Sequence, residues 1–189
     1  FQRTHDRKKY LLRMLAFALI SEIPFNYLYY SSPVFPFHQN VMFTFFIALL
    51  LMLGLEKVRS KGAGLYILAA VLSLPVGYFL GTIGMVDYYG SGVVTVLIFY
   101  LCRQIPYGWI GEVAGLAFLN CKLLGGMTIP LTLGSWTLEF PEQGLALLAL
   151  IPIWLYNGRQ GAHNKAIQYA CYAFYPAHML ILALLRMYL

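Results

Sequence analysis

Two ionisable residues interrupt long apolar stretches and have the chemistry of acid–base catalysts. His178 lies two residues after Pro176 in the last stretch, and Glu22 lies two residues before Pro24 in the first. A proline frees backbone groups of a helix, and ionisable side chains within a bilayer are costly and commonly functional. A neutral His178 is suited to act as a general base. Hydrogen bonding of Tyr175 and His178 to a neighbouring helix explains both residues equally well.

Two carboxylates lie near the ends of apolar stretches. Glu22 needs a cationic partner or a backbone amide within a bilayer; with Ser21 and Asn26 it also fits the polar end of a helix at the membrane interface. Asp87 and Tyr88 lie in a turn, where helix capping or an aromatic belt accounts for them. Each carboxylate therefore has a structural explanation beside a catalytic one.

A third carboxylate, Glu112, lies between Gly111 and Gly115. Glycines four residues apart are typical of closely packed membrane helices. We expect Glu112 to make a structural pair with Arg103 or His178. The same glycine spacing recurs at Gly77 and Gly81.

The composition indicates the elements that hold these residues. Apolar residues make up 60% of the 189, and charged residues only 11%, well below the roughly 25% typical of soluble domains. The apolar stretches approach the ~20 residues that cross a bilayer as a helix, and none shows the alternation of a membrane barrel. We predict an all-α polytopic transmembrane helical bundle with the lipid bilayer as its partner.

Seven spans are predicted within a single transmembrane domain covering residues 1–189. Asn40 is expected to cap the second helix, and residues 125–143 are expected to form a re-entrant segment or an external loop. Because the sequence begins at Phe1 and not Met, we expect it to be a fragment that lacks its own beginning. The predicted spans are residues 11–30, 41–55, 64–85, 91–102, 107–120, 144–156 and 166–189.

The basic residues orient these spans. The net charge of +6 comes from 13 Lys and Arg beside apolar stretches, a topological pattern that does not suggest a nucleic-acid partner. Most of these cations fall in alternate loops, which places the first residues on the cytoplasmic side of an inner membrane. The cations assigned to the cytoplasmic side are Arg3, Arg7, Lys8, Lys9, Arg13, Lys57, Arg59, Lys61, Arg103, Arg159 and Lys165.

Several other site classes lack their sequence patterns. Cys102, Cys121 and Cys171 are not closely paired, so neither a disulfide framework nor a zinc site is predicted. Phosphate-binding loops of the Walker type and HExxH strings do not occur either. We therefore expect no metal and no nucleotide hydrolysis.

Ordered strings along nearly the whole chain match one family of membrane proteins. They are KKYLLR at residues 8–13, ISEIPF at 20–25, NV at 40–41, FT at 43–44, DY at 87–88, FYL at 99–101 with Arg103, LYNGR at 155–159 with Gly161, and FYP at 174–176 with His178. With these strings the chain resembles the TraX family.

The resemblance implies a bacterial inner-membrane acetyltransferase. The founding activity of TraX-like proteins is N-acetylation of the pilin amino terminus in conjugation, with acetyl-CoA as the expected co-substrate. Family members usually begin with further spans that carry an Asp-His pair, and the family's His-Thr pattern appears here as Arg3-Thr4-His5-Asp6. The expected catalytic residues are His178, Glu22 and Asp87, and the expected substrate-binding residues are Tyr88 and Tyr175.

A cytoplasmic acyl-CoA donor requires cations and backbone amides for its phosphates. In the loop at residues 157–161 two glycines allow close approach of the backbone, and Arg159 is suited to bind a phosphate with two hydrogen bonds. A purely topological role explains the same cations. The expected donor-binding residues are Arg13, Arg103, Asn157, Gly158, Arg159 and Gly161.

Three functions remain open at this point. The first is acetylation of a protein amino terminus of the pilin type, and the second is O-acetylation of a cell-envelope glycan. The third is a small transporter or assembly factor, suggested by Pro75, Pro130 and Pro176, which interrupt apolar stretches.

Overall fold

A computed structural model describes residues 1, 4, 6–133, 136–159, 161 and 164–188. The described chain is mostly helical, with one small antiparallel sheet. The elements in chain order are α1 (Arg7–Tyr30), α2 (Val41–Arg59), α3 (Ala63–Ile83), α4 (Tyr89–Cys102), α5 (Gly108–Phe118), a π-helical turn (Leu119–Leu123), β1 (Thr128–Leu133), β2 (Trp136–Pro141), a 3-10 helix (Glu142–Ala149), α6 (Leu150–Leu155) and α7 (Lys165–Tyr188).

The chain divides into two compact units. The first consists of Phe1–Val93 with Gln160–Leu189, and the second of Val94–Arg159. Helix α4 begins in the first unit and ends in the second. The single domain expected from the sequence stays a prediction.

Within the described residues, four helices are long and apolar enough to cross a membrane: α1, α2, α3 and α7. Their outer faces carry large apolar side chains, such as Phe79, which is 62% exposed, and such surface is stable against lipid but not against water. The chain is therefore a helical membrane protein. Helix α4 and the segment Glu142–Leu155 are apolar but shorter, so the count of seven spans stays a prediction.

Polar side chains start the first two long helices. The side chain of Asp6 accepts a hydrogen bond from the backbone N–H of Lys9, and that of Asn40 accepts one from Met42. Each satisfies a backbone donor that has no partner within its helix. The predicted cap at Asn40 is thus confirmed.

Three long helices of the first unit alternate in direction. Arg7 at the start of α1 forms an ion pair with Glu56 near the end of α2, with 3.4 Å between Nη1 and Oε2. The residue before the α2 cap, Gln39, donates its N–H to the carbonyl of Met85 just after α3, at 2.8 Å. Helix α2 is therefore antiparallel to both neighbours.

Helix α7 runs beside α1 in the same direction. The ring of Phe17 lies 5.7 Å from that of Tyr172, and Arg186 near the end of α7 donates to the carbonyl of Leu28 near the end of α1, at 2.6 Å. The starts of α1 and α7 and the end of α2 therefore lie at one end of the first unit. We call this the basic end, because it carries Arg7, Lys8, Lys9, Lys57, Arg59, Lys61 and Lys165.

Glycines allow the close helix contacts that their spacing predicts. A Cβ built on Gly81 of α3 would lie 2.7 Å from the carbonyl oxygen of Tyr89, and one on Gly90 would overlap the backbone of Tyr78. In the second unit, a Cβ on Gly115 would lie 2.7 Å from the side chain of Ile98. The predicted small-residue contacts are present in both units.

The second unit departs from the all-α prediction. Strands β1 and β2 pair antiparallel, with Thr128 opposite Pro141 and Leu131 opposite Leu138. In the Thr128–Leu133 strand (TIPLTL), Thr and Ile favour extended backbone, and the pairing satisfies backbone groups that a loop leaves free. These paired strands lie within the segment expected to be a re-entrant segment or an external loop, and its position relative to the membrane stays a prediction.

A buried ion–amide contact joins two elements of the second unit. The indole N–H of Trp154 donates to Oε2 of Glu112 at 2.7 Å, and Glu112 is only 9% exposed. The expected pair of Glu112 with Arg103 or His178 is therefore wrong, and the partner that the structure gives is Trp154. An indole donor satisfies the carboxylate without a second charge.

Candidate active site

Polar residues cluster at the end of the first unit opposite the basic end. The loop between α1 and α2 is held to the turn between α3 and α4 by the hydrogen bond from Gln39 to Met85 and by a parallel bridge from Gln39 to Val86. Thr44 adds a bond from its hydroxyl to the carbonyl of Asp87, at 2.9 Å. These contacts bring His38 of the loop beside Asp87 of the turn.

His38 lies between a hydroxyl and a carboxylate. Its Nδ1 is 2.5 Å from the hydroxyl of Tyr30, and its Nε2 is 3.5 Å from Oδ1 of Asp87. The imidazole is parallel to the ring of Tyr89, 10° apart with centroids separated by 6.1 Å, and its edge contacts Phe25. Both ring nitrogens of His38 therefore have polar neighbours, and two aromatic rings pack against the imidazole.

This order of groups assigns roles to the two ring nitrogens. With Asp87 ionised, the hydrogen of the neutral imidazole lies on Nε2, which faces the carboxylate. Nδ1 is then the acceptor of a hydrogen bond from the Tyr30 hydroxyl. A hydroxyl, a base and a group that orients the base form the arrangement of activated nucleophiles. His38 can thus take a proton at Nδ1 while Asp87 stabilises the imidazolium.

Asp87 is the anionic member of this arrangement. Burial raises the pKa of its carboxyl above the usual value of 3.8, although the neighbouring His38 and the backbone N–H of Tyr88 act in the opposite direction. Its side chain remains 28% exposed. The raised pKa means that Asp87 loses its charge on acidification earlier than an ordinary aspartate.

Glu22 is held by Asn40 a short distance along the bundle. Its Oε2 accepts from the side-chain amide of Asn40 at 2.5 Å and from the Asn40 backbone N–H at 3.3 Å. The same side-chain amide also donates to the carbonyl of Ala18 at 2.9 Å. The amide partner predicted for Glu22 is confirmed, and Asn40, fully buried, joins α1 to α2.

Three buried polar atoms of α1 have no hydrogen-bond partner within the described chain: Ser21 Oγ, Glu22 Oε1 and Asn26 Oδ1. Ser21 is 0% and Asn26 1% exposed. Glu22 and Asn26 are four residues apart and therefore neighbours on the helix surface, and Ser21 adjoins Glu22 in the sequence. Buried polar atoms without partners are uncommon in native proteins. A ligand reaches these atoms only if the surrounding helices separate.

Tyr175 of α7 faces the two carboxylates. Its hydroxyl lies close enough to Asp87, Glu22 and the backbone of Val41 to interact with them electrostatically. The structure therefore brings together three of the predicted site residues, namely Glu22, Asp87 and Tyr175. Tyr88 lies in the same turn as Asp87 and is 53% exposed.

His178, the base expected from the sequence, lies next to Tyr175, with 5.6 Å between the ring centroids. Its Nδ1 contacts the carbonyl of Phe174 one helical turn earlier, at 2.9 Å, and its ring is stacked on that of Phe174. This self-contained position differs from that of His38, which faces a carboxylate. A catalytic role for His178 stays a prediction.

The predicted donor loop forms a tight turn in the second unit. The backbone N–H of Arg159 donates to the side chain of Asn157 at 3.0 Å, the Tyr156 hydroxyl donates to the Arg159 carbonyl at 2.8 Å, and Gly158 has a φ of 72°. Arg103 belongs to the same unit, whereas Arg13 and Gly161 belong to the first. Donor binding by these residues stays a prediction.

Two members of the cluster were not expected from the sequence. His38 occurs in a segment rich in proline and aromatic residues, and Tyr30 is one of several tyrosines at the end of the first apolar stretch. The sequence offered one signal for His38, its position two residues before a helix cap. Its partner Asp87 is far along the chain, so the sequence did not indicate that the two side chains are neighbours. Arg3 and His5 of the Arg3-Thr4-His5-Asp6 string lie outside the described residues.

Comparison with known proteins identifies the family. The family described as TraX protein matches residues 1–186. The chain belongs to the TraX family. No curated protein and no solved structure matches it. The match spans both units, so the His38 cluster and the Tyr156–Arg159 turn both lie within the TraX sequence.

Proposed function

We propose that this TraX protein is a membrane-embedded acetyltransferase that moves an acetyl group from acetyl-CoA to the amino terminus of a pilin-like protein. The observation that carries the proposal is His38, fixed between the Tyr30 hydroxyl and the Asp87 carboxylate. Acyl transfer from a thioester requires a base of this kind. Membership of the TraX family supports the same reaction class.

The side chains around His38 supply the remaining needs of acyl transfer. Asp87 orients the imidazole and stabilises its charged form, and the carbonyl oxygen of the substrate becomes an anion that requires a donor. The Tyr175 hydroxyl, which lies near Asp87 and Glu22, has the hydrogen that such a donor needs. We assign Tyr175 to oxyanion stabilisation.

The distribution of cations orients this chemistry in the membrane. The positive-inside rule assigns the basic end to the cytoplasm of a bacterial inner membrane, with the start of α1 on that side. The His38 cluster then faces the opposite side of the membrane, where an exported acceptor arrives. The acceptor and the donor therefore approach from opposite ends of the first unit.

The donor must span much of this distance. Arg13, the donor-binding candidate on α1, precedes Tyr30 by about 26 Å, from seventeen helical residues at a rise of about 1.5 Å each. Acetyl-CoA has a long neutral arm with two amide N–H groups between its phosphates and its thioester. The unpartnered Ser21 Oγ and Asn26 Oδ1 lie along α1 between the two ends, and because both are buried, they accept from that arm only when the helices around α1 separate.

The proposal is tested with purified full-length protein in lipid nanodiscs and acetyl-CoA labelled in its acetyl group. A peptide with a free amino terminus is expected to become labelled, and the same peptide with a blocked terminus is not. His38→Gln is expected to lower turnover by at least about 100-fold. As a matched carboxylate pair, Asp87→Asn should impair turnover, and Glu142→Gln, an exposed position of the second unit, should not.

A result of no acetyl-CoA binding and no labelling of any acceptor would refute the enzyme proposal. In that case uptake by proteoliposomes would test the transporter function suggested by the prolines. Wild-type turnover in His38→Gln would leave the activity in place but remove His38 as its base, and His178→Gln would then be the variant to measure.

One observation favours O-acetylation of a cell-envelope glycan as the second candidate. The group that occupies Nδ1 of His38 is a hydroxyl, the functional group that a sugar acceptor presents. Mass spectrometry of envelope polymers from cells with and without the gene separates the two. Loss of O-acetyl groups from a glycan would favour this candidate, and loss of an N-terminal acetyl group from a protein would favour the first.

A further inference from the structure

The hydroxyl of Tyr30 is hydrogen-bonded to the nitrogen of His38 that must take the proton of the acyl acceptor. Nδ1 lies 2.5 Å from this hydroxyl, while Nε2 faces Asp87. An imidazole has only these two nitrogens. A substrate N–H or O–H can therefore give its proton to His38 only after the bond to Tyr30 is broken.

Tyr30 is held in place from several directions. It is the last residue of α1, and its ring is stacked on that of Phe35, with 3.7 Å between centroids and 15° between planes. Arg186 of α7 contacts the carbonyl of Leu28 two residues earlier, which fixes the end of the helix. The native arrangement thus presents the Tyr30 hydroxyl, and no other described hydroxyl, to His38 as the group to be deprotonated.

We propose that Tyr30 is the covalent acyl carrier of this protein, an inference that rests on the acetyltransferase function proposed above. In the first half-reaction the phenolic oxygen attacks the thioester carbonyl, so that an O–C bond forms and the C–S bond breaks. The phenolic proton moves to Nδ1 of His38 and then to the departing thiolate. The products are acetyl-Tyr30 and free CoA.

In the second half-reaction the acceptor amine or hydroxyl attacks the acetyl carbon of acetyl-Tyr30. The acceptor–carbon bond forms, the C–O bond to Tyr30 breaks, and the acceptor proton passes through Nδ1 to the phenolate. Acetylation of Tyr30 removes the hydrogen that held Nδ1, so the same nitrogen becomes free for the acceptor. One base therefore serves both half-reactions.

The chemistry of a phenol suits this role. A phenol ionises near pH 10 and a thiol near 8.5, and an aliphatic alcohol is a far weaker acid than either. Because the leaving ability of a group follows its acidity, an aryl ester retains much of the reactivity of a thioester. Acetyl-Tyr30 is thus an acyl donor, whereas an acetylated serine would be a poor one.

The test uses full-length protein in nanodiscs without any acceptor. Acetyl-CoA is mixed with radiolabelled free CoA, and transfer of label into acetyl-CoA is measured. A carrier predicts this exchange, because the first half-reaction is reversible. Labelled acetyl-CoA is then used alone, and the denatured protein is digested. We expect an acetyl group on the peptide that contains Tyr30, and neutral hydroxylamine should remove it, since it cleaves aryl esters but not amides.

Tyr30→Phe is expected to abolish the label and the exchange and to lower turnover by at least about 100-fold. Tyr29→Phe is the matched control, because Tyr29 adjoins Tyr30 on α1 but its ring is 56% exposed; it should retain label, exchange and turnover. The melting temperatures of both variants verify that they are folded. His38→Gln should reduce the exchange as well, because the base acts in both half-reactions.

Two results would overturn the carrier. One is wild-type turnover in Tyr30→Phe, and the other is normal turnover by the wild type without exchange or bound acetyl; both indicate direct transfer from donor to acceptor and leave the acetyltransferase function standing. A label confined to another residue also overturns it. If the wild-type protein neither binds acetyl-CoA nor turns over, the carrier and the proposed function fail together.

Discussion

Replacement of Asn40 by alanine is expected to destabilise the first unit strongly. The Asn40 side chain caps α2 through Met42 and donates to both Glu22 and the Ala18 carbonyl. Loss of a cap typically costs about 1 kcal/mol, and loss of a hydrogen bond to a buried charged group about 1.5–3 kcal/mol. We expect Asn40→Ala to lower the free energy of unfolding by about 3 kcal/mol.

The measurement is unfolding of the purified protein in mixed micelles with increasing denaturing detergent. Gln39→Ala is the matched control, because Gln39 is only partly buried and its side chain bonds, within the described chain, to the nearby Pro36 carbonyl. A change within about 0.5 kcal/mol is expected there, as for most surface substitutions. The two neighbouring positions therefore separate loss of the buried bonds from general effects of substitution in this loop.

Asn40→Asp tests the charge separately. An aspartate keeps the cap but sets a second carboxylate against Glu22, so this variant should also be destabilised at neutral pH. Adding Glu22→Gln restores an amide–carboxylate pair and should recover most of the loss. A cost below about 1 kcal/mol for Asn40→Ala, or no recovery in the double variant, would show that these bonds do not hold α1 to α2.

Three further predictions concern other parts of the chain. Asp87→Asn is expected to lower turnover by about 100-fold or more without lowering stability at neutral pH. Because burial raises the pKa of Asp87, the stability that this group contributes falls as the pH rises above the usual pKa of 3.8, and asparagine removes that dependence. A variant that is less stable than the wild type at pH 7 would contradict this. Gly90→Ala should destabilise by 2 kcal/mol or more, at about the scale of overpacking, while Gly54→Ala, with open space around its Cβ, should be neutral or stabilising in the same melting assay. Trp154→Phe leaves the Glu112 carboxylate without its donor and should cost about 1–3 kcal/mol; Glu112→Leu in addition should recover part of this loss.

Local signals in the sequence predicted the features that depend on nearby residues. Asn40 before an apolar run predicted a helix cap because capping involves a residue two positions away. The glycine spacings likewise predicted close contacts of α3 and α5, because a missing side chain is needed wherever two backbones approach. The amide partner of Glu22 followed from the cost of a carboxylate in a bilayer.

Features that depend on distant residues were missed. His38 acquires its role from Asp87, which reaches it through the contacts of Gln39 with Met85 and Val86. The hairpin at Thr128–Pro141 was missed because its alternating pattern is short and contains Gly and Pro signals that also fit a loop. Sequence periodicity reports the environment of a single segment, whereas the role of His38 and the pairing of the two strands each depend on contacts between two segments.

The pairing of α7 with α1 determines the order in which this protein can be completed during synthesis. Helix α1 leaves the ribosome before α2 and meets it soon afterwards, which gives Glu22 its amide partner early. The face of α1 that carries Phe17 and receives Tyr172 and Arg186 has to wait for α7. A nascent chain that stops before Lys165 therefore exposes this face within the lipid, where quality-control proteases recognise unassembled helices. Truncation of α7 before Arg186 should for this reason lower the cellular amount of the protein, in addition to removing the contact with Leu28 near Tyr30.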